Sequence, residues 1–221
     1  MKKQGKKYLL AATMLLAAFV GWTVLVRHVD VRPIGPRGSS VGLSSVNGWF
    51  HALTGVHMWL YVLTDWLGLV PIVVAFGFAM LGLVQWIKRK NILRVDADLF
   101  VLGTFYIAVM AAYLVFETVV INYRPIEIEG FLEASYPSST TLLTACVMST
   151  AMMQANARIQ SRWLRRVVMG IACAFSCFMV IGRLLSGVHW VSDIVGGLLL
   201  SAALVLLYAA ATDFCKKGDC V

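Results

Sequence analysis

The chain has 221 residues, of which 60% are hydrophobic and only 14% charged, and its mean hydropathy is +0.80. No water-soluble domain of this length needs that much apolar surface, so composition excludes a soluble fold. The net charge of +8 gathers in short segments between apolar runs, which marks membrane orientation rather than nucleic-acid binding.

Runs near twenty residues, the length that crosses a bilayer as a helix, occur at Tyr8–Val26, Leu67–Trp86, Leu99–Val120, Ser139–Ala157, Val167–Leu185 and Val191–Ala211. The expectation is an all-α polytopic membrane protein, a six-transmembrane-helix bundle with both termini cytoplasmic. The first run has a Lys-rich start like a secretory signal. It is long and shows no small-x-small cleavage site near Phe19–Arg27, so it reads as a retained anchor. With both termini inside, fourteen of the nineteen basic residues, from Lys2 and Lys3 through Lys88–Lys90 and Arg158–Arg166 to Lys216 and Lys217, fall on the inner side. The outer side keeps Arg27, Arg32, Arg37, Arg124 and Arg183. The inner basic runs suit anionic headgroups.

Between the first two runs, His28, His51 and His57 read as loop or interface residues. Trp49–Trp66 reads as a helix on the outer surface with an aromatic belt. The five cysteines, Cys146, Cys173, Cys177, Cys215 and Cys220, are odd in number and lack zinc-like spacing, which predicts neither disulfide nor metal. Cys173 and Cys177 share a helical face and read as packing residues. With no repeat or linker, 1–221 is a single domain.

Three segments at outer ends of the runs carry polar residues. The first is Glu117-Thr-Val-Val-Ile-Asn-Tyr-Arg124-Pro125, and the second Tyr136-Pro137-Ser138-Ser139-Thr140-Thr141. The third is Arg183-Leu-Leu-Ser-Gly-Val-His189-Trp-Val-Ser-Asp193. A helix from Val188 onward would make His189 and Asp193 an i, i+4 pair about 6 Å apart along the axis, so that the carboxylate holds one imidazole nitrogen and frees the other. Such a histidine beside arginines is suited to attack an electrophile that carries negative charge, and phosphate fits. Ser138 is placed to cap a helix whose first N–H groups point outward and bind phosphate oxygens.

These residues resemble the type-2 phosphatidic acid phosphatase superfamily of integral-membrane lipid phosphate phosphatases, whose pattern is K-x6-R-P, then P-S-G-H, then S-R-x5-H-x3-D. The resemblance spans about Glu117 to Gly197. Its third element is complete from Arg183 to Asp193. In the second, Pro137-Ser138 match while Ser139 stands at the glycine and Thr140 at the histidine. In the first, Arg124-Pro125 match, but Glu117 stands at the lysine. The resemblance implies a metal-independent hydrolase without cofactor, in which His189 forms a phosphohistidine, Asp193 fixes its tautomer, and Arg124, Arg183, Ser138 and Ser139 bind phosphate. Its substrate would be a phosphorylated lipid, its other partners membrane lipids, and nucleic acid is not expected.

Thr140 cannot supply the proton that the family histidine gives the leaving oxygen. A phosphate leaving group needs that proton less than an alkoxide, so a lipid pyrophosphate such as a polyprenyl diphosphate is the preferred substrate. Glu117 either serves as a variant acid or pairs with Arg124 two turns along one helix. The alternative is a catalytically impaired relative that binds or transports a phosphorylated lipid. The expected setting is a bacterial plasma membrane, with the site facing outside.

Overall fold

The computed structural model describes residues 2–215; Lys216, Lys217 and Cys220 lie outside them. Within the described residues eight α-helices carry the fold: α1 (Lys2–His28), α2 (Ser44–Thr54), α3 (Met58–Leu67), α4 (Leu69–Arg89), α5 (Ala97–Thr118), α6 (Ser139–Arg158), α7 (Arg162–Leu185) and α8 (Val191–Cys215). Among the described residues no strand forms, only isolated β-bridges in the α1–α2 and α5–α6 loops.

Among the described residues, five stretches are long and apolar enough to cross a membrane: Gln4–His28, Met58–Arg89, Ala97–Thr118, Arg162–Leu185 and Val191–Cys215. They leave Leu10, Met14, Phe76, Ile107 and Ile171 exposed on the outside of the bundle, as lipid contact requires. The molecule is an integral membrane protein.

Helix α6 corresponds to the run expected at Ser139–Ala157 but is not among the five apolar stretches. It packs against α4, α5, α7 and α8 and buries Thr141, Thr144, Thr150 and Gln154. A helix enclosed by others meets side chains instead of lipid tails, so hydroxyls are tolerated along it. Thr150, for example, donates to the Cys146 carbonyl at 2.9 Å.

Helix α1 lies along α8. Gly5 N donates to Asp213 Oδ2 at 2.9 Å near one end, and Trp22 Nε1 donates to the Ser192 carbonyl at 3.0 Å near the other. Phe19 stacks on Tyr136 with ring centroids 6.4 Å apart. Tyr136 presses on Gly196 of α8, where an added Cβ would meet its ring at 2.7 Å. Gly197 likewise faces Ser138 and Thr141 of α6, as close helix packing requires.

Three expectations change. The segment Trp49–Trp66 is two helices, split at Gly55–His57. The second runs on through Gly68 into α4 and packs Leu60 and Thr64 against Gly182 of α7. Trp49, Trp59 and Trp66 stay exposed as a belt would. Cys173 and Cys177 are exposed on α7 instead of packing inside, because its buried side is taken by Met179, Gly182 and Arg183 in the C-terminal half. Cys215 is disulfide-bonded, a pairing that an odd cysteine count conceals.

At the end of the bundle away from the three polar segments, Asp96, at the N-cap of α5, ties α4 to α6. It accepts from Gln85 Nε2 at 2.8 Å, Arg89 Nη1 at 2.8 Å and Arg158 Nη1 at 3.0 Å. Arg158 also grips Asp98, with Nη2 to Oδ2 at 2.8 Å. Gln154 passes the network on to Tyr208 of α8 at 2.7 Å.

Candidate active site

The site assembles where α7 turns into α8. Helix α7 ends at Leu185, and Gly187 follows in the left-handed region with φ +72°. A Cβ there would sit 2.2 Å from the Gly55 carbonyl oxygen, so both backbone conformation and the approach of the α2–α3 loop demand glycine. The loop is pinned when His57 N donates to the Ser186 carbonyl at 2.9 Å and His51 Nε2 meets the Gly187 carbonyl at 3.2 Å.

Helix α8 begins at Val191, so His189 stands just ahead of it and not within it, contrary to the expected helical pair. The reason lies in the cap. Asp193, in the first turn, accepts the Trp190 N–H at 2.9 Å through Oδ2, the side-chain half of a capping box. The same oxygen is 3.7 Å from His189 Nδ1, which is contact without a hydrogen bond. Asp193 is thus both the helix cap and the neighbour that faces one imidazole nitrogen.

Four charged or titratable groups are sequestered together: His189 at 3% exposure, Asp193 at 0%, Arg183 at 1% and Arg124 at 9%. Burial first, then the charges of Arg124 and Arg183, hold the His189 imidazole well below the ordinary histidine range. The ring is therefore neutral and nucleophilic near neutral pH. Neither of its nitrogens makes a well-formed hydrogen bond, although the Ser135 backbone lies close enough to act on the ring, and Arg124 Nε and Nη1, Arg183 Nε and Ser138 Oγ also lack a hydrogen-bond partner. Buried donors left open in one place are the signature of a polar ligand site.

Each arginine is balanced by a carboxylate at the rim. Arg124 Nε lies 3.0 Å from Glu133 Oε2, without the alignment of a hydrogen bond. Arg183 Nη1 lies 3.5 Å from both Asp65 Oδ1 and Thr64 Oγ1. The Tyr61 ring covers both guanidinium groups, 5.0 Å from Arg183 Cζ and 5.9 Å from Arg124 Cζ.

The second segment differs from expectation in detail. Ser138 occupies the N-cap position of α6, yet its hydroxyl caps nothing and stays buried and free. Its N–H donates to the Asp193 carbonyl at 3.0 Å, which joins the start of α6 to the start of α8. Ser139 and Thr140 turn toward a groove of about 380 Å³ between α4, α5 and α6, also lined by Gly68, Ile72 and Tyr113. Glu117 is exposed at the end of α5, near Tyr113, Ser135 and Ser139. It does not pair with Arg124, because α5 stops at Thr118 and the chain turns before the arginine; Glu133 is the partner instead.

Several site residues escaped sequence reasoning. Asn47 of α2 bonds Ser192 twice, accepting from its N–H at 3.1 Å and donating to its Oγ at 2.9 Å, and Asn122 Nδ2 reaches the same hydroxyl at 3.5 Å. Tyr61, Thr64 and Asp65 stand at i, i+3 and i+4 on α3, a polar stripe between Trp59 and Trp66 that marks an inward face. Glu133 carries no sequence signal. Among the described residues no three His, Cys, Asp or Glu side chains converge as a metal site would require.

Fold and site define an integral-membrane helical protein with a buried, arginine-flanked histidine at one end of its bundle. Residues 118–216 match the PAP2 superfamily model, a segment that holds Arg124, Ser138, Arg183, His189 and Asp193. The whole architecture is similar to the crystal structure of a transmembrane PAP2 type phosphatidylglycerolphosphate phosphatase from Bacillus subtilis, with a TM-score of 0.59. Sequence identity is 18% over 95% of this chain and 98% of that one. No curated protein matches the chain. The family likeness thus covers residues 118–216, and the structural likeness extends to the fold of the whole chain.

Proposed function

We propose that the protein hydrolyses a phosphorylated lipid, with preference for a lipid diphosphate, through a phosphohistidine formed on His189. The observation that carries this reading is the buried, neutral His189 whose ring nitrogens make no well-formed hydrogen bond, beside the unpartnered donors of Arg124 and Arg183. Phosphoryl transfer needs positioning and charge stabilisation above all, and this arrangement supplies both. The nitrogen remote from Asp193 attacks phosphorus, while Asp193 faces Nδ1 and steadies the cation that forms. Arg124, Arg183 and Ser138 take the phosphoryl oxygens, and a water molecule then releases phosphate from the histidine.

The preference for a diphosphate rests on Thr140 and Glu117. Thr140 turns to the groove and has no useful acidity, and Glu117 stands apart from Arg124, so neither serves an alkoxide leaving group well. The proposal includes α6 as a sixth crossing helix, both termini inside, a bacterial plasma membrane and a site open to the outside. The basic residues at Arg89, Arg94 and Arg158, at the opposite end from His189, support that orientation.

Right-side-out membrane vesicles that contain the protein are expected to release phosphate outside from an added lipid diphosphate at least about 10-fold faster than from the matched monophosphate. His189→Ala should abolish release, and vanadate should inhibit it as a phosphate mimic. Equal rates on the two substrates would sink the diphosphate preference, and activity unchanged by His189→Ala would remove the nucleophile. The replaced residues at Thr140 and Glu117 favour one second reading, a relative that binds or transports a phosphorylated lipid without cleaving it. Lipid binding with no phosphate release would support it.

A further inference from the structure

Resting on the phosphatase reading above, we propose that Tyr61 is the residue that donates to the leaving oxygen, the task left open at Thr140. Direction of attack leads to α3. In an in-line displacement the leaving oxygen departs opposite the nucleophile. His189 is almost fully buried, so a leaving group attached to a lipid has to point away from it, toward the partly open side of the site. Helix α3, held by Thr64 and Leu60 against Gly182, sets the Tyr61 ring over both guanidinium groups.

Among the described side chains of α3 that face the arginines, Tyr61 carries a neutral proton donor suited to the task. Asp65 and Glu133 face Arg183 and Arg124 as ion-pair partners, which engages their oxygens with the guanidinium groups. Thr64 donates its hydroxyl to the Leu60 carbonyl at 2.8 Å. Tyr61 is half-buried, its ring covers both guanidinium groups, and its phenol is within electrostatic reach of Arg124, Asp65, Arg183 and Glu133. A phosphoryl group held by both arginines therefore lies beside it.

The step balances without a co-reactant other than water. His189 forms the N–P bond as the P–O bond to the lipid breaks. With a monophosphate, the Tyr61 O–H proton moves to the departing alkoxide, and the tyrosinate is left between two guanidinium cations. Water then attacks phosphorus, the N–P bond breaks, and a proton from the water returns to Tyr61. With a diphosphate, the departing lipid phosphate keeps the electron pair as a stable anion, and the phenol needs only to hydrogen-bond to it. An unperturbed phenol is a weak acid, with a pKa of about 10. The diphosphate therefore remains the better substrate.

Tyr61→Phe keeps the ring over both arginines and removes only the hydroxyl. Three phosphate donors separate the roles: a lipid monophosphate, the same lipid's diphosphate, and an aryl phosphate whose leaving group is itself acidic. The expected result is a loss in kcat of about 100-fold or more on the lipid monophosphate. On the diphosphate and the aryl phosphate the loss should stay under about 10-fold, and the aryl phosphate also reports that the variant is folded. An equal loss on all three, or none on the lipid monophosphate, overturns the assignment and leaves the phosphatase reading standing. No release by the wild-type protein from any of the three overturns both.

Discussion

At the scale of single residues, the site is a balance of charges. Arg124 faces Glu133 and Arg183 faces Asp65, so each buried arginine is already partly neutralised. Under the proposed function, a substrate phosphate would compete with Glu133 for the Arg124 guanidinium. Glu133→Gln should therefore lower KM by roughly 3-fold to 10-fold, a range set by the modest worth of a half-exposed pair, while kcat changes little. Steady-state kinetics on the lipid diphosphate check this; a fall in kcat with unchanged KM would mean that Glu133 positions Arg124 instead. The candidate nucleophile and arginines were legible because His189, Asp193, Arg183 and Arg124 are polar residues at the edges of apolar runs, where charge is expensive and rarely idle. Glu133 was not legible, because an acidic residue in a loop has no pattern around it. Glu117 was misjudged as a partner of Arg124 since sequence alone does not reveal that α5 ends between them.

At the scale of elements, the turn between α7 and α8 does the positioning. Gly187 combines φ +72° with a backbone neighbour at 2.2 Å from a would-be Cβ. Gly187→Ala should destabilise the protein by at least about 2 kcal/mol, from left-handed strain plus a clash that only backbone movement relieves. The thermal midpoint in detergent should fall by several degrees, and an unchanged midpoint would show that the α2–α3 loop yields freely. Helix lengths were legible because the bilayer dictates them, and the expected runs coincide with α1 and α4–α8 to within a few residues at most ends. The role of α3 was concealed by its aromatic residues. Trp59 and Trp66 suggested a helix lying flat on the interface, while the stripe of Tyr61, Thr64 and Asp65 on its other side faces the arginines. Helix α6 shows the reverse effect, since its hydroxyls lower its apolar character only because neighbouring helices shield it from lipid.

At the scale of the whole molecule, the two ends of the bundle differ in kind. One end holds unpartnered donors around His189, and the other is locked by the Asp96 network. Burial raises the Asp96 pKa, but hydrogen bonds from Arg89, Gln85 and Arg158 outweigh it and bring the carboxyl down from 3.8 to about 2. A group depressed on folding contributes stability that is full above the unfolded pKa and disappears as protons bind to the folded state. The contribution of Asp96 should therefore be present above about pH 4, then decline as pH falls through about 2. Thermal midpoints measured between pH 5 and 2 should fall more steeply for the wild type than for Asp96→Asn, and parallel slopes would refute the role of this network. The packing of α1 along α8 has a consequence of a different sort, in the order of events during synthesis. Trp22 reaches Ser192 across 170 positions of sequence, and Gly5 reaches Asp213 across 208. Helix α1 therefore enters the bilayer long before its partner has been translated and waits there with one flank uncovered. When α8 arrives, it brings Asp193 and follows directly on His189, so the helix that covers that flank also completes the candidate site. The proposed chemistry would thus become available to a nascent chain only as its architecture closes.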